Sequence, residues 1–200
     1  MENIAIFGGT FNPFHIGHIE ILSELNSLEY IDKIIVMPSK IPPHKEVDFL
    51  ASEKHRLNMC KIASKMFNKA LVSDIELLRK GKSYTVDTIS DLRLIYPNAN
   101  FFFTLGGDML YFFDTWKNYK EIIKNVSIIC FNRAGLNLNE VLSSAQKLKS
   151  QGAKVIVLEK NITEVSSTFL RENIDNNDTL KKYIPCEILE YITENSVYGE

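Results

Sequence analysis

Gly8-Gly9-Thr10-Phe11-Asn12-Pro13-Phe14-His15-Ile16-Gly17-His18 decides the reading of this 200-residue chain. The apolar run Ile4-Ala5-Ile6-Phe7 leads into it and reads as a short buried strand. Ile16, Ile19, Leu22 and Leu25 leave it at helical spacing. Strand, glycine turn and helix is the build of a phosphate site. Glycines let backbone N–H groups approach an anion, and a helix N-terminus favours negative charge. His15 and His18 fall on the same side of a first helical turn, where imidazoles donate to phosphoryl oxygens.

Outward from this stretch, apolar runs alternate with helical patterns. Ile34-Ile35-Val36-Met37 reads as a second strand, ending in the proline-stiffened segment Pro38 to Lys45. Lys45 lies at a strand exit, where ligands gather in α/β folds. Ser52 suits the cap of a helix reaching about Phe67, with Leu57, Cys60, Ile62 and Ala63 as buried positions. Ala70 to Ser73 is a short strand, and Lys80-Gly81-Lys82 a turn. Thr85 suits an N-cap, with Val86, Ile89, Leu92 and Ile95 behind it and Pro97-Asn98 as the stop. Phe101 to Leu105 is an unbroken apolar run, as in a central parallel strand, and it ends in Gly106-Gly107-Asp108. Val126 to Phe131 and Lys154 to Leu158 complete the strands, with a helix from about Asn139 to Lys149 between them. Ser166-Ser167-Thr168 opens a further helix, and Arg171 falls on the side of Thr168. Strands alternating with helices predict an α/β fold, a doubly wound Rossmann-like parallel sheet with helices on both faces. Nothing in composition marks a boundary within residues 1–200, so one domain is expected.

Composition excludes several classes. A hydrophobic share of 45% with 24% charged residues is that of an ordinary globular chain. A formal net charge of −2 argues against a nucleic-acid platform. No apolar run approaches the ~20 residues of a membrane span. Cys60, Cys130 and Cys186 show neither metal-ligand spacing nor a disulfide framework, so a reducing cytoplasm is expected.

The opening stretch resembles the GGTFDP-x-H-x-GH signature of the nucleotidylyltransferase superfamily, with Asn12 where aspartate is usual. Over nearly its full length the chain resembles bacterial nicotinate-nucleotide adenylyltransferases. The further matching pieces are Pro42-Pro43-His44-Lys45, Ser83-Tyr84-Thr85-Val86-Asp87-Thr88, Gly106-Gly107-Asp108, Trp116 and Ser166 to Arg171. The resemblance implies that ATP and nicotinate mononucleotide give nicotinate adenine dinucleotide and pyrophosphate. It assigns Gly8, Gly9, Thr10, Phe11, His15, His18, Gly106, Asp108, Ser166, Ser167, Thr168 and Arg171 to ATP, with His15, His18 and Arg171 as catalytic contacts. Lys45, Tyr84, Thr85, Trp116 and Arg133 fall to the mononucleotide. Mg²⁺ would ride mainly on phosphates and water, with no protein ligand. A homo-oligomer is compatible with the sequence.

Other readings start from the same residues. His15-Ile16-Gly17-His18 also spells the HIGH signature of class I aminoacyl-tRNA synthetases, but the chain is short for one and lacks a Lys-Met-Ser-Lys-Ser-like loop. Pantetheine-phosphate adenylyltransferases and cytidylyltransferases share the first and last pieces but not usually the Ser-Tyr-Thr-Val-Asp-Thr piece. A nicotinamide-mononucleotide adenylyltransferase and a non-catalytic nucleotide-binding module are the remaining alternatives.

Overall fold

The computed structural model describes residues 1–40, 49–133 and 136–199. Six strands run through it: β1 (Asn3–Gly9), β2 (Lys33–Pro38), β3 (Ala70–Val72), β4 (Asn100–Gly106), β5 (Val126–Arg133) and β6 (Lys154–Ile162). They pair in parallel in the order β3-β2-β1-β4-β5-β6. The helices are α1 (Ile16–Ser27), α2 (Glu53–Ser64), α3 (Ile75–Leu78), α4 (Thr85–Ile95) and α5 (Gly107–Leu110), then α6 (Tyr119–Asn125), α7 (Leu138–Ser150), α8 (Ser167–Glu172), α9 (Asn177–Tyr183) and α10 (Cys186–Glu194). This is a doubly wound α/β fold, and the strands lie where the apolar runs place them.

Strand side chains alternate between faces, so each strand feeds two cores. Ile4 and Ile6 join the core under α4, α6 and α7, whereas Ala5 and Phe7 join the core under α1, α2 and α10. Burial on both faces explains the continuous apolar runs. The chain winds one way from β1 through β2 to β3, then crosses back to lay β4 on the other side of β1. A crevice at such a reversal, beyond the carboxyl ends of the strands, is where ligands bind in open α/β sheets. No helix among the described residues is long and apolar enough to cross a membrane.

Three expectations shift. The buried face of α1 carries Ile21, Leu22 and Leu25, while Ile16 and Ile19 are only half-buried. The first turn of α1 borders the crevice, so Ile16 and Ile19 are less covered than Leu22 and Leu25. On α2 the buried stripe is Arg56, Met59, Cys60 and Ala63, with Leu57 and Ile62 half-buried. Thr85 is the first helical residue of α4, and Tyr84 is the N-cap.

Candidate active site

A cavity of about 650 Å³ opens over the carboxyl ends of β1 and β4, where the winding reverses. The glycines there have a steric reason. A Cβ on Gly9 would meet the Phe11 ring at 2.8 Å, and one on Gly17 would meet the Thr163 carbonyl at 3.1 Å and the His15 ring at 3.3 Å. Phe11 has φ +51°, a strained value for an aromatic residue. Packing holds it there: its buried ring stacks on Phe14 at 4.8 Å and stands edge-on to Phe7 at 5.3 Å and His18 at 5.0 Å.

His15 and His18 lie at the start of α1 with rings stacked 3.7 Å apart. The His15 N–H donates to His18 Nδ1 at 3.3 Å. With Nδ1 accepting, a neutral His18 ring carries its proton on Nε2, the donor a phosphate requires. The chain then returns 150 residues later to close this end. Ser166 caps α8 by accepting from the Phe169 N–H at 3.0 Å. Ser167 Oγ donates to the Pro13 carbonyl at 3.0 Å, and Arg171 Nη1 to the Asn12 carbonyl at 2.9 Å. Ser166, Ser167, Thr168 and Arg171 thereby share the cavity wall with Gly8, Gly9, Thr10, Phe11, His15 and His18.

The lining that belongs to the other core of the sheet is also aromatic. Trp116 packs on Phe113 at 4.9 Å and stands edge-on to Phe103 at 5.9 Å. Beside it, Tyr84 and Thr85 open α4, where the Asp87 and Thr88 N–H groups bond back to the Tyr84 carbonyl and those of Thr85 and Val86 precede the first intrahelical bond. The Lys117 ammonium lies 4.3 Å above the Tyr84 ring and 3.3 Å from Asp87 Oδ2.

Of the other expected residues, Gly106 lines the cavity at the end of β4. Asp108 stands in the first turn of α5 and is not among the cavity-lining residues, although Gly106 before it and Met109 after it are. Arg133 closes β5, and its side chain is outside the described part of the structure. Lys45 and the Pro-Pro-His segment lie outside the described residues.

A cytidylyltransferase-like family model matches residues 6–173. A probable nicotinate-nucleotide adenylyltransferase of Carboxydothermus hydrogenoformans is 37% identical over 196 residues, covering 98% of this chain and 97% of that protein. One from Clostridium tetani is 36% identical over 200 residues, covering 99% and 100%. The chain belongs to the nicotinate-nucleotide adenylyltransferase family. In fold it is similar to the Plasmodium falciparum nicotinic acid mononucleotide adenylyltransferase complexed with NaAD, with TM-score 0.81, 23% identity and coverage of 99% and 98%.

Within this adenylyltransferase fold, the sequence reading passes over several residues at the site. Arg56 is fully buried, and burial pushes its guanidinium below the usual value. It donates to the carbonyls of Thr10 at 3.0 Å, Ser39 at 2.5 Å, Ala51 at 3.2 Å and Lys40 at 3.4 Å. One side chain thus fixes the loop after β1, the exit of β2 and the approach to α2. A charged residue in register with Met59, Cys60 and Ala63 is the sequence signal for it. Asn12 donates to the Phe49 carbonyl at 2.8 Å and accepts from the Ala51 N–H at 3.1 Å and the Tyr198 hydroxyl at 2.9 Å. An aspartate has no donor for Phe49, so the amide suits this loop. Glu76 also lines the cavity, and burial pushes its carboxyl above the usual range.

Proposed function

We propose that this protein transfers the adenylyl group of ATP to nicotinate mononucleotide, giving nicotinate adenine dinucleotide and pyrophosphate. The observation that carries this reading is the two-part lining of the cavity. Paired imidazoles, a helix N-terminus and Arg171 gather on one part of the wall, and a tryptophan beside the start of α4 stands on another. The first part suits a triphosphate, and the second a flat ring bearing a carboxylate.

A phosphate oxygen of the mononucleotide attacks the α-phosphorus of ATP in line. The bond from that phosphorus to the bridging oxygen breaks, and pyrophosphate leaves with the electron pair. The nucleophile is already an anion, so no general base is required. Rate then comes from alignment and from charge stabilisation. His15 and His18 would donate to the triphosphate as charge moves toward the leaving group. Arg171, braced on the Asn12 carbonyl and on Thr168 Oγ1 at 3.4 Å, would hold its fork toward the same oxygens.

Magnesium is the expected companion of the triphosphate. Among the described residues no three His, Cys, Asp or Glu side chains form a shell, and the phosphate end offers imidazoles, hydroxyls and a guanidinium. The ion would therefore be held by phosphate oxygens and water, neutralising charge there. A reducing cytoplasm suits the free thiols of Cys60, Cys130 and Cys186. Burial pushes the Cys130 thiol up to about 12, so it is no nucleophile at neutral pH.

Pyrophosphate release from ATP is the test, with nicotinate mononucleotide, nicotinamide mononucleotide and phosphopantetheine as acceptors. Release is expected with the nicotinate form above the others. Release driven by phosphopantetheine, or by no acceptor, would overturn the reading.

A further inference from the structure

Glu76 is a carboxylate in the wall of a cavity suited to anions, where its charge by itself would repel the ligand. Its surroundings give it another task. Thr88 Oγ1 donates to Glu76 Oε1 at 2.6 Å, and the Ser83 side chain stands beside the same carboxylate. Ser83 precedes Tyr84 and Thr85, and Thr88 follows them by one helical turn. Both hydroxyls are buried, with Thr88 only 2% exposed. Glu76 is therefore bonded to the first turn of α4 through Thr88 and has Ser83 beside it, on the other side of the residues that open the helix.

This contact is braced from behind and passed onward. Arg79 Nη1 donates to Thr88 Oγ1 at 3.0 Å while its other arm pairs with Asp91. Ser83 Oγ accepts from the Lys40 N–H at 3.4 Å, and Lys40 Nζ donates to the Leu77 carbonyl at 3.0 Å. The exit of β2, the short helix α3 and the start of α4 are thus joined through one carboxylate. Tyr84, the N-cap of α4, makes no side-chain capping bond of its own. The Asp87 and Thr88 N–H groups are fixed by the Tyr84 carbonyl, so it is the orientation of the Thr85 and Val86 N–H groups ahead of them that depends on this network.

We infer that Glu76 is a positioning residue for the acceptor substrate: it holds the Ser83–Thr88 turn so that the backbone donors of α4 face an anionic substituent on the acceptor's ring. This rests on the function proposed above. A carboxylate that merely repelled anions would have the opposite effect when neutralised, so the sign of one substitution separates the two.

Trp116 is the only tryptophan and lines the same end, so its fluorescence reports occupancy there. The full-length protein is titrated separately with nicotinate mononucleotide and with ATP, as parent, Glu76→Gln and Thr88→Val. Glu76→Gln is expected to weaken the mononucleotide about tenfold despite removing a like charge, and to leave ATP within about twofold. Thr88→Val keeps the carboxylate and loses one donor, so it should act in the same direction by about threefold. It also stands in if the glutamine variant does not fold. Tighter or unchanged mononucleotide binding in these variants would overturn the inference, as would equal weakening of both ligands. A parent that binds ATP but not the mononucleotide would overturn the proposed function and this inference with it.

Discussion

At the phosphate end of the cavity, the histidine pair and the glycine turn come from one unbroken stretch, and α8 is tied to its backbone carbonyls. At the ring end, Trp116, Tyr84 and Glu76 come from three separate segments, joined mainly by aromatic edges and side-chain hydrogen bonds. The two ends are built for different demands. A triphosphate presents many equivalent oxygens, and fixed N–H groups, imidazoles and a guanidinium answer them with little adjustment. A ring substituent presents one feature to be told from another, and a turn held by a few hydroxyls answers it. Side-chain networks can change without disturbing the sheet. Under the proposed function, the ring end is the place where selectivity is set, and the phosphate end is where rate is made.

Arg56→Met should have the largest effect, because Arg56 serves both ends at once through Thr10 and through Ser39 and Lys40. Leaving several buried carbonyls without donors should destabilise the fold on the order of 3–5 kcal/mol. Calorimetry reads this as a drop in Tm of roughly 6–20 °C for a chain of this size. A variant melting within a degree or two of the parent would show that water replaces the guanidinium.

His18→Ala should next lower kcat by about 10²–10³, a loss of roughly 2.7–4 kcal/mol by analogy with oxyanion donors. ATP affinity should fall less, because the charge it meets grows during transfer. Near-normal kcat would remove His18 from the chemistry and erase the proposed division between rate and selectivity.

Arg171→Lys tests whether the phosphate end needs a fork. An ammonium cannot both brace the Asn12 carbonyl and present two parallel donors, so kcat/KM for ATP should fall by roughly tenfold or more. Parity would make Arg171 only a link between α8 and the glycine turn.

The smallest effect is expected in a ratio. The parent should prefer nicotinate over nicotinamide mononucleotide by at least about tenfold in kcat/KM, or ~1.4 kcal/mol, since a charged acceptor strengthens hydrogen bonds from the start of α4. Trp116 stacks on either ring, so Trp116→Ala should raise both KM values several-fold, in keeping with ~1 kcal/mol or more for base stacking. The ratio should stay nearly constant. A ratio that collapses in this variant would move selectivity from the turn to the tryptophan.

Much of this molecule was legible in its residues. Continuous apolar runs identify parallel strands because both faces are covered, and Gly8 to His18 identifies the strand–turn–helix that lines the cavity because its parts are contiguous. Ser166 to Arg171 was readable as a cap with a cation on one side. The placement of Asp108 was not, because whether a residue after a glycine pair faces a cavity depends on how the next helix leaves the sheet. On α1, Leu22 and Leu25 are buried as their spacing predicts, while Ile16 and Ile19 are half-buried for a related reason. Periodicity gives the existence of an apolar stripe but not the neighbour that covers it.

By itself, the sequence determined the order of strands and helices, the glycine turn with its two histidines, and the resemblance that names the chemistry. Those are properties of local spacing. The tertiary structure decided which strand ends adjoin, that Arg56 is buried among the carbonyls of Thr10, Ser39, Lys40 and Ala51, and that Glu76 meets Ser83 and Thr88. Hydrogen bonds between residues far apart in the chain depend on the packing of whole elements. The sheet order and its reversal of winding bring those groups together, and no spacing along the chain records it.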